Sequence, residues 1–218
     1  MRAKDFMTTD VVTIDPDSDV TIVAQTFLDH RISAAPVVDR DGVVVGVVSE
    51  GDLMRRARPE TTRRSWWLSL VADPTTEFVR NRGTRARDIM TPTVVSVSGE
   101  KSLSDVACIL ESNNIKRVPV IEEGRLVGLV SRADILRCLA AGGSQDHPTP
   151  EDQEIRKRII QLVRQETEAW LGTIKVIVTK GEVHLWGTVD RKADADAVRV
   201  AAESVVGVNK VHNHLSVP

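Results

Sequence analysis

The chain carries almost no net charge. Its 29 Lys and Arg stand against 31 Asp and Glu, leaving −2 over 218 residues. No global basic field therefore draws nucleic acid or a membrane surface to it. No apolar run approaches the length of a spanning helix. The opening Met1-Arg2-Ala3-Lys4-Asp5-Phe6 lacks the apolar stretch of a secretory signal, so a cytoplasmic location is expected. Cysteine is scarce, with only Cys108 and Cys138. A reducing compartment disfavours a disulfide between them, and inert packing is expected rather than redox sensing. No catalytic triad, metal cage, P-loop or activated nucleophile is visible, so the chain is not expected to be an enzyme. What remains is an ordinary soluble composition, 41% hydrophobic and 28% charged. The length suffices for one or two domains with real cores.

What the chain does have is a repeat. Gly46-Val47-Val48-Ser49-Glu50-Gly51-Asp52 returns as Gly128-Leu129-Val130-Ser131-Arg132-Ala133-Asp134. The duplication runs much further. Asp5-Phe6-Met7-Thr8 matches Asp88-Ile89-Met90-Thr91, Val12-Thr13-Ile14 matches Val95-Ser96-Val97, and Pro36-Val37-Val38 matches Pro119-Val120-Ile121. The second copy is one residue shorter at its hairpin turn, Glu122 to Arg125 against Asp39 to Val43. Duplicated folds tolerate such a change at a glycine turn.

Each copy predicts strand, helix, strand, strand, helix. The first helix carries an apolar stripe at Val20, Val23, Ala24 and Phe27, and its counterpart has Leu103, Val106, Ala107 and Leu110. Asp17-Ser18-Asp19 and Ser102 offer caps ahead of them. The strands are expected over Ala35–Val38 with Val43–Val48, and over Val118–Ile121 with Leu126–Val130. Short helices start near Gly51 and Ala133.

These motifs resemble a tandem pair of CBS domains. The residues that carry the resemblance are Met7-Thr8 and Met90-Thr91, Ala35-Pro36-Val37 and Val118-Pro119-Val120, and the two Gly-x-x-Ser-x-x-Asp runs. The resemblance places the first repeat at 1–57 and the second at 84–141, and implies a pseudo-two-fold pair. It also implies a regulatory module that binds adenine nucleotides (AMP, ADP or ATP) or adenosyl compounds in the groove between repeats, commonly as a homodimer.

On this reading Asp52 and Asp134 accept hydrogen bonds from ribose hydroxyls. Their plain alternative is helix capping. Ser49 and Ser131 are phosphate or ribose hydroxyl partners at helix starts. Thr13-Ile14 and Ser96-Val97 border the base, as do Ala35-Pro36 and Val118-Pro119. The two clefts differ in charge. Lys116, Arg117 and Arg132 occupy positions that hold Ser33, Ala34 and Glu50 in the first copy. The second cleft is therefore expected to prefer phosphorylated ligands, and the first to bind weakly or to take an uncharged adenosyl compound.

Residues 58–83 are an insert, with Arg63-Arg64 ahead of Ser65-Trp66-Trp67-Leu68. A connector helix covering the repeats or a partner subunit is expected. A lid over the nucleotide, or a membrane or nucleic-acid contact, stays open.

Residues 142–150 read as a linker by their Gly, Ser and Pro content. The tail, 151–218, predicts helix, strand, strand, helix, strand. It has apolar Ile155, Ile159, Leu162 and Val163 on the first helix, and Asp190 as a cap for the second. Gly187 reads as a strand-end bend that no Cβ should obstruct. Ile174-Lys175-Val176, the run from Gly181 to Val189, Val206-Gly207-Val208 and Asn213-His214-Leu215-Ser216-Val217 resemble a BON domain. That resemblance implies an envelope association or a phospholipid partner.

The fold class is thus α/β (α+β): two CBS repeats followed by a small α-β-β-α-β domain. The preferred function is a non-catalytic sensor of adenine nucleotides or adenosyl compounds that relays to the tail. The rival is a phospholipid- or envelope-associating interaction protein whose repeat pair serves only as a dimer scaffold. His212 and His214 share a strand side and His184 could approach them. With no cysteine or carboxylate recognised to complete a ligand set, solvated histidines are expected there and no metal.

Overall fold

The structure is a computed structural model that describes residues 1–57, 79, 82–142, 148–166 and 172–217. The expected Trp66-Trp67 connector and most of the expected linker lie outside the described residues.

Each repeat opens on a short helix, α1 (Ala3–Phe6) or α4 (Ala86–Ile89). A longer helix follows, α2 (Val20–Asp29) or α5 (Leu103–Ser112). Next come two paired strands, β1 (Ala34–Val38) with β2 (Val44–Ser49), or β3 (Arg117–Glu122) with β4 (Arg125–Ser131). A last helix closes each copy, α3 (Glu50–Ala57) or α6 (Arg132–Ala140). The predicted first strand is reduced in both copies to a single parallel bridge, Ile14 to Val37 and Val97 to Val120. The short opening helices were not foreseen. Four residues give no helical period to detect.

The long helices form as their caps and stripes require. The Asp19 carboxylate accepts from Thr21 N at 2.8 Å, and Ser102 Oγ accepts from Asp105 N at 3.1 Å. Val23 and Phe27 are buried on one helix, and Leu103, Val106 and Leu110 on the other.

The compact units do not follow the order of the chain. One unit comprises Val12–Val95 with Glu123–Leu126, and the other comprises Met1–Val11, Ser96–Glu122 and Val127–Pro218. The first unit thus holds the elements of the first repeat that follow α1, together with α4, the opening helix of the second. Ala86 N donates to Ser18 O at 2.9 Å, and Thr91 pairs with Val47. Its core is Ile14, Val23, Phe27, Ala35, Val37, Val48, Ala86 and Ile89.

The other unit holds α1 with the second repeat in the matching way. Ala3 N donates to Lys101 O at 2.8 Å, and Thr8 pairs with Leu129. Each repeat therefore begins in the packing unit of the other. The glycines of the repeated motif show why. A Cβ on Gly46 would collide with the Met90 side chain, and one on Gly128 with that of Met7. The Met-Thr and Gly-x-x-Ser motifs, far apart in each copy, form one contact.

The tail belongs to the second of these units. It runs α7 (Pro150–Glu166), β5 (Ile174–Thr179), β6 (Glu182–Thr188), α8 (Lys192–Glu203) and β7 (Lys210–Ser216). β5 and β6 are antiparallel, and β6 and β7 parallel. Ile155, Ile159 and Val163 of α7 and Val198 and Ala202 of α8 pack with Val176, Val178, Val183 and Leu185 of the sheet. The cap of α8 is Arg191, whose N–H donates to Asp194 at 3.2 Å, and not the expected Asp190. A carboxylate three residues into the helix reaches back to the chain entry. Gly187 has φ +137°, and a Cβ there would strike the Thr173 carbonyl, so the expected obstruction is real.

Candidate functional site

Each Gly-x-x-Ser-x-x-Asp run forms a strand-to-helix junction, where the last strand residue is also the helix cap. Ser131 has extended backbone, φ −113° and ψ 164°, and Arg132 begins α6. Ser131 N and Oγ both donate to Asp134 Oδ2, at 2.8 and 2.7 Å. In the first copy Ser49 N and Oγ donate to Asp52 Oδ2, at 2.9 and 2.6 Å. Both carboxylates are buried, 5% exposed for Asp52 and 3% for Asp134. One oxygen of each is thus spent on the capping box, which satisfies orphan N–H groups of the helix start. Any ribose contact falls to the other oxygen.

Those second oxygens differ. Asp52 Oδ1 is 3.6 Å from Arg55 Nη1. Asp134 Oδ1 accepts from Arg137 Nη1 at 2.9 Å and lies 3.8 Å from Lys175 Nζ. Lys175 comes from β5 of the tail, and its side chain is 13% exposed. Burial pulls its pKa down from the ordinary lysine value, and the Asp134 charge opposes that fall. In the sequence Lys175 figures only within the strand motif Ile174-Lys175-Val176, with no binding role. Between Ile174 and Val176 it reads as the solvated side of an alternating strand.

The tail is also held, within its own unit, against the segment around α1 that opens the first repeat. Arg156 of α7 donates to Val176 O at 3.0 Å, Lys4 O at 3.3 Å and Met7 O at 2.8 Å. Burial lowers its pKa to about 10. Gln153 Nε2 donates to Asp5 Oδ1 at 2.9 Å. Spacing could not reveal these contacts, because they join residues about 150 positions apart.

The other candidates divide into exposed and buried. Ile14 and Val97 are core residues, 4% and 5% exposed, whose N–H groups donate to Pro36 O and Pro119 O at 3.0 Å. Ala35, Pro36, Val118 and Pro119 are buried with them. The expected apolar walls are therefore packed into the cores, and only Thr13 and Ser96 of the base-bordering set are exposed.

Among the expected phosphate ligands, Lys116 is exposed and Arg117 half-buried. Arg132 is committed elsewhere. Its Nε donates to Ile115 O at 2.8 Å and its Nη2 to Leu110 O at 3.1 Å, at the C-terminal end of α5. A guanidinium suits exposed terminal carbonyls, whose partial charge is negative.

Cys138 is buried, and desolvation pushes its thiol up to about 12. The thiolate that redox chemistry needs is thus suppressed. Cys108 is exposed, and neither cysteine is bonded to the other. No helix among the described residues is long and apolar enough to cross a membrane.

Two repeats with matching strand-to-helix junctions and a five-element tail define a tandem module with an appended α/β domain. The chain belongs to the CBS domain family, which matches residues 3–58 and 86–141, and its tail is a BON domain, matched over 151–218.

Among relatives, the uncharacterized protein MJ1426 of Methanocaldococcus jannaschii is 31% identical over 154 residues, 64% of this chain and 91% of that one. Hypoxic response protein 1 of Mycobacterium tuberculosis is 30% identical over 137 residues, 63% of this chain and 84% of its own. A crystal structure of CBSX2 of Arabidopsis thaliana in complex with AMP has a TM-score of 0.56 at 25% identity. It covers 64% of this chain and 97% of that one. The CBS pair of protein MJ0100, in complex with 5′-methylthioadenosine and S-adenosyl-L-methionine, shares the fold at 22% identity and TM-score 0.51, over 65% and 98% of the two chains.

Proposed function

We propose that this chain is a non-catalytic regulatory protein that binds an adenine nucleotide or adenosyl compound at its Ser-x-x-Asp junctions and passes the event to its BON domain. In this reading it acts in the cytoplasm as a homodimer. The observation that carries it is the buried Asp134 carboxylate, held at one oxygen by its own helix and approached at the other by Lys175 of the tail. The AMP complex of CBSX2 supports the ligand class.

A ribose hydroxyl donating to Asp134 Oδ1 competes with Lys175 and Arg137 for the same lone pairs. Lys175 is largely buried, so losing its anionic partner weakens its seat on the second repeat. Ligand affinity and tail docking then share one free energy, which is the requirement for coupling. Lys116 and Arg117 supply charge for a phosphate, whereas Arg132 would first have to leave the end of α5. Ser131 and Ser49 keep each carboxylate aimed.

Calorimetric titration with AMP, ADP, ATP and S-adenosylmethionine, set beside thermal shifts, tests the reading. A ligand selective for the folded chain raises its midpoint. Asp134→Ala should lower affinity roughly tenfold or more, from the loss of about 1.5–3 kcal/mol. Lys175→Met should raise affinity, because the competitor is gone. If no adenine compound binds, or neither substitution changes affinity, the proposal is overturned. Co-sedimentation with liposomes that is indifferent to nucleotide would favour the lipid-associating rival instead.

A further inference from the structure

The tail sheet has a second face that the function above does not use. Val183 and Leu185 of β6 turn toward the helices and are fully buried. The alternate residues, Glu182, His184 and Trp186, turn the other way. Parallel register sets His184 against His212 and Trp186 against His214 on β7. The rings stack in two pairs, His184 on His212 at 4.4 Å and Trp186 on His214 at 3.8 Å between centroids. Glu182 lies one pleat step from His184, and its Oε2 is 3.2 Å from His212 Nε2. One ligand atom each from Glu182, His184 and His212 falls within 4.8 Å of the others. The carboxylate that the sequence reading did not find is thus Glu182. It was visible two residues before His184, but only strand pairing brings His212 to both.

We propose that Glu182, His184 and His212 form a site for one divalent transition-metal ion of the zinc type. A separate observation points to a missing partner. The His184 Nδ1 atom is buried and has no hydrogen-bond partner among the described residues. Buried imidazole nitrogens are normally bonded, and leaving one orphaned carries its full desolvation penalty. Coordination to a metal removes that penalty.

The donor set is borderline in softness, two imidazoles and one carboxylate, which suits zinc, cobalt, nickel or copper over calcium or magnesium. Around a tetrahedral ion with bonds of about 2.1 Å, ligand atoms sit about 3.4 Å apart. To reach that spacing His184 and His212 must turn out of their parallel stack, so that each aims a ring nitrogen at the ion. Three protein ligands leave one position open for water.

The test uses the full chain with any affinity tag removed and metal stripped by a chelator. Zinc is titrated against a chromophoric competitor, and cobalt is followed by its visible absorption. One ion per chain is expected. His184→Gln and His212→Gln should each weaken binding by more than about a hundredfold, beyond the roughly 10–100-fold of an outer-shell loss. Glu182→Gln should weaken it too, and its exposed position keeps that variant folded. His214→Gln and His30→Gln should leave affinity unchanged. Binding that survives all three ligand substitutions, no binding at micromolar zinc, or a cobalt spectrum with thiolate charge-transfer bands abolished by Cys108→Ser would each overturn the site.

Discussion

Asp52 and Asp134 occupy the same place in two copies of one motif, and their caps agree closely. Ser49 bonds Asp52 at 2.6 and 2.9 Å, and Ser131 bonds Asp134 at 2.7 and 2.8 Å. The difference lies at the second oxygen. Asp52 meets one arginine of its own helix at 3.6 Å. Asp134 meets an arginine at 2.9 Å and also a lysine from another domain. Duplication kept the local chemistry, and what it was joined to made the copies unequal. The capping box is dictated within four residues, whereas the partner of Oδ1 depends on which surface the tail packs against.

The largest expected effect that separates the copies comes from Arg156. Its guanidinium holds three backbone carbonyls, two of them on the segment that opens the second unit. Arg156→Met leaves those acceptors without their donor, at about 1–3 kcal/mol for each one that stays buried. Urea unfolding should show a loss of about 3 kcal/mol or more in the unit that contains the tail, with the transition of the unit built on Val12–Val95 unmoved. Equal shifts in both transitions would show that the tail does not single out the unit that contains it.

Next come the paired glycines, which sharpen what the copies share. Gly46→Ala and Gly128→Ala each drive a methyl group into a methionine side chain, with a threonine carbonyl close by. Overpacking of this kind typically costs about 1–3 kcal/mol. The two variants should lose stability by similar amounts in thermal unfolding. A one-sided loss would mean that the exchanged opening helices are not equivalent.

Much of this molecule was legible because it is written twice. The repeat gave both long helices, all four strands of the pair and the Ser-x-x-Asp junctions. Alternation in Ile174-Lys175-Val176 and Val183–Leu185 gave the tail strands, since one face of that sheet is buried. The exchange of opening helices was not legible. Met7 and Gly128 sit in matched motifs whether they pack within one copy or across two, so similarity alone carries no sign of the swap.

The base-bordering residues were ambiguous in the sequence for another reason. An apolar residue beside a proline looks the same whether it faces a ligand or a core, and Ile14, Ala35, Val97 and Val118 face cores. The bonds of Arg132 to the Leu110 and Ile115 carbonyls were not legible either, because those carbonyls come together only where α5 ends beside it.

The smallest expected effect concerns Asp152, which the tail has and the repeats do not. This buried carboxylate accepts from Gly181 N at 2.8 Å, Thr149 N at 2.9 Å and Lys180 N at 3.0 Å, tying the start of α7 to the β5–β6 turn. Burial alone would raise its pKa, but the bonds from Gly181, Thr149 and Lys180 outweigh that and lower it. A carboxyl whose folded pKa lies below its unfolded one binds fewer protons when folded. Its contribution is therefore complete above the unfolded value, about 3.9, and is lost as pH falls through the folded value. Stability measured between pH 7 and pH 2 should drop at the acid end in the native chain. Asp152→Asn should flatten part of that drop and remove about 1 kcal/mol at neutral pH. The first repeat's unfolding should keep its own acid dependence in both proteins, because none of the groups bonded to Asp152 belongs to that unit. An acid profile unchanged by the substitution would show that the three backbone bonds do not hold the charged form.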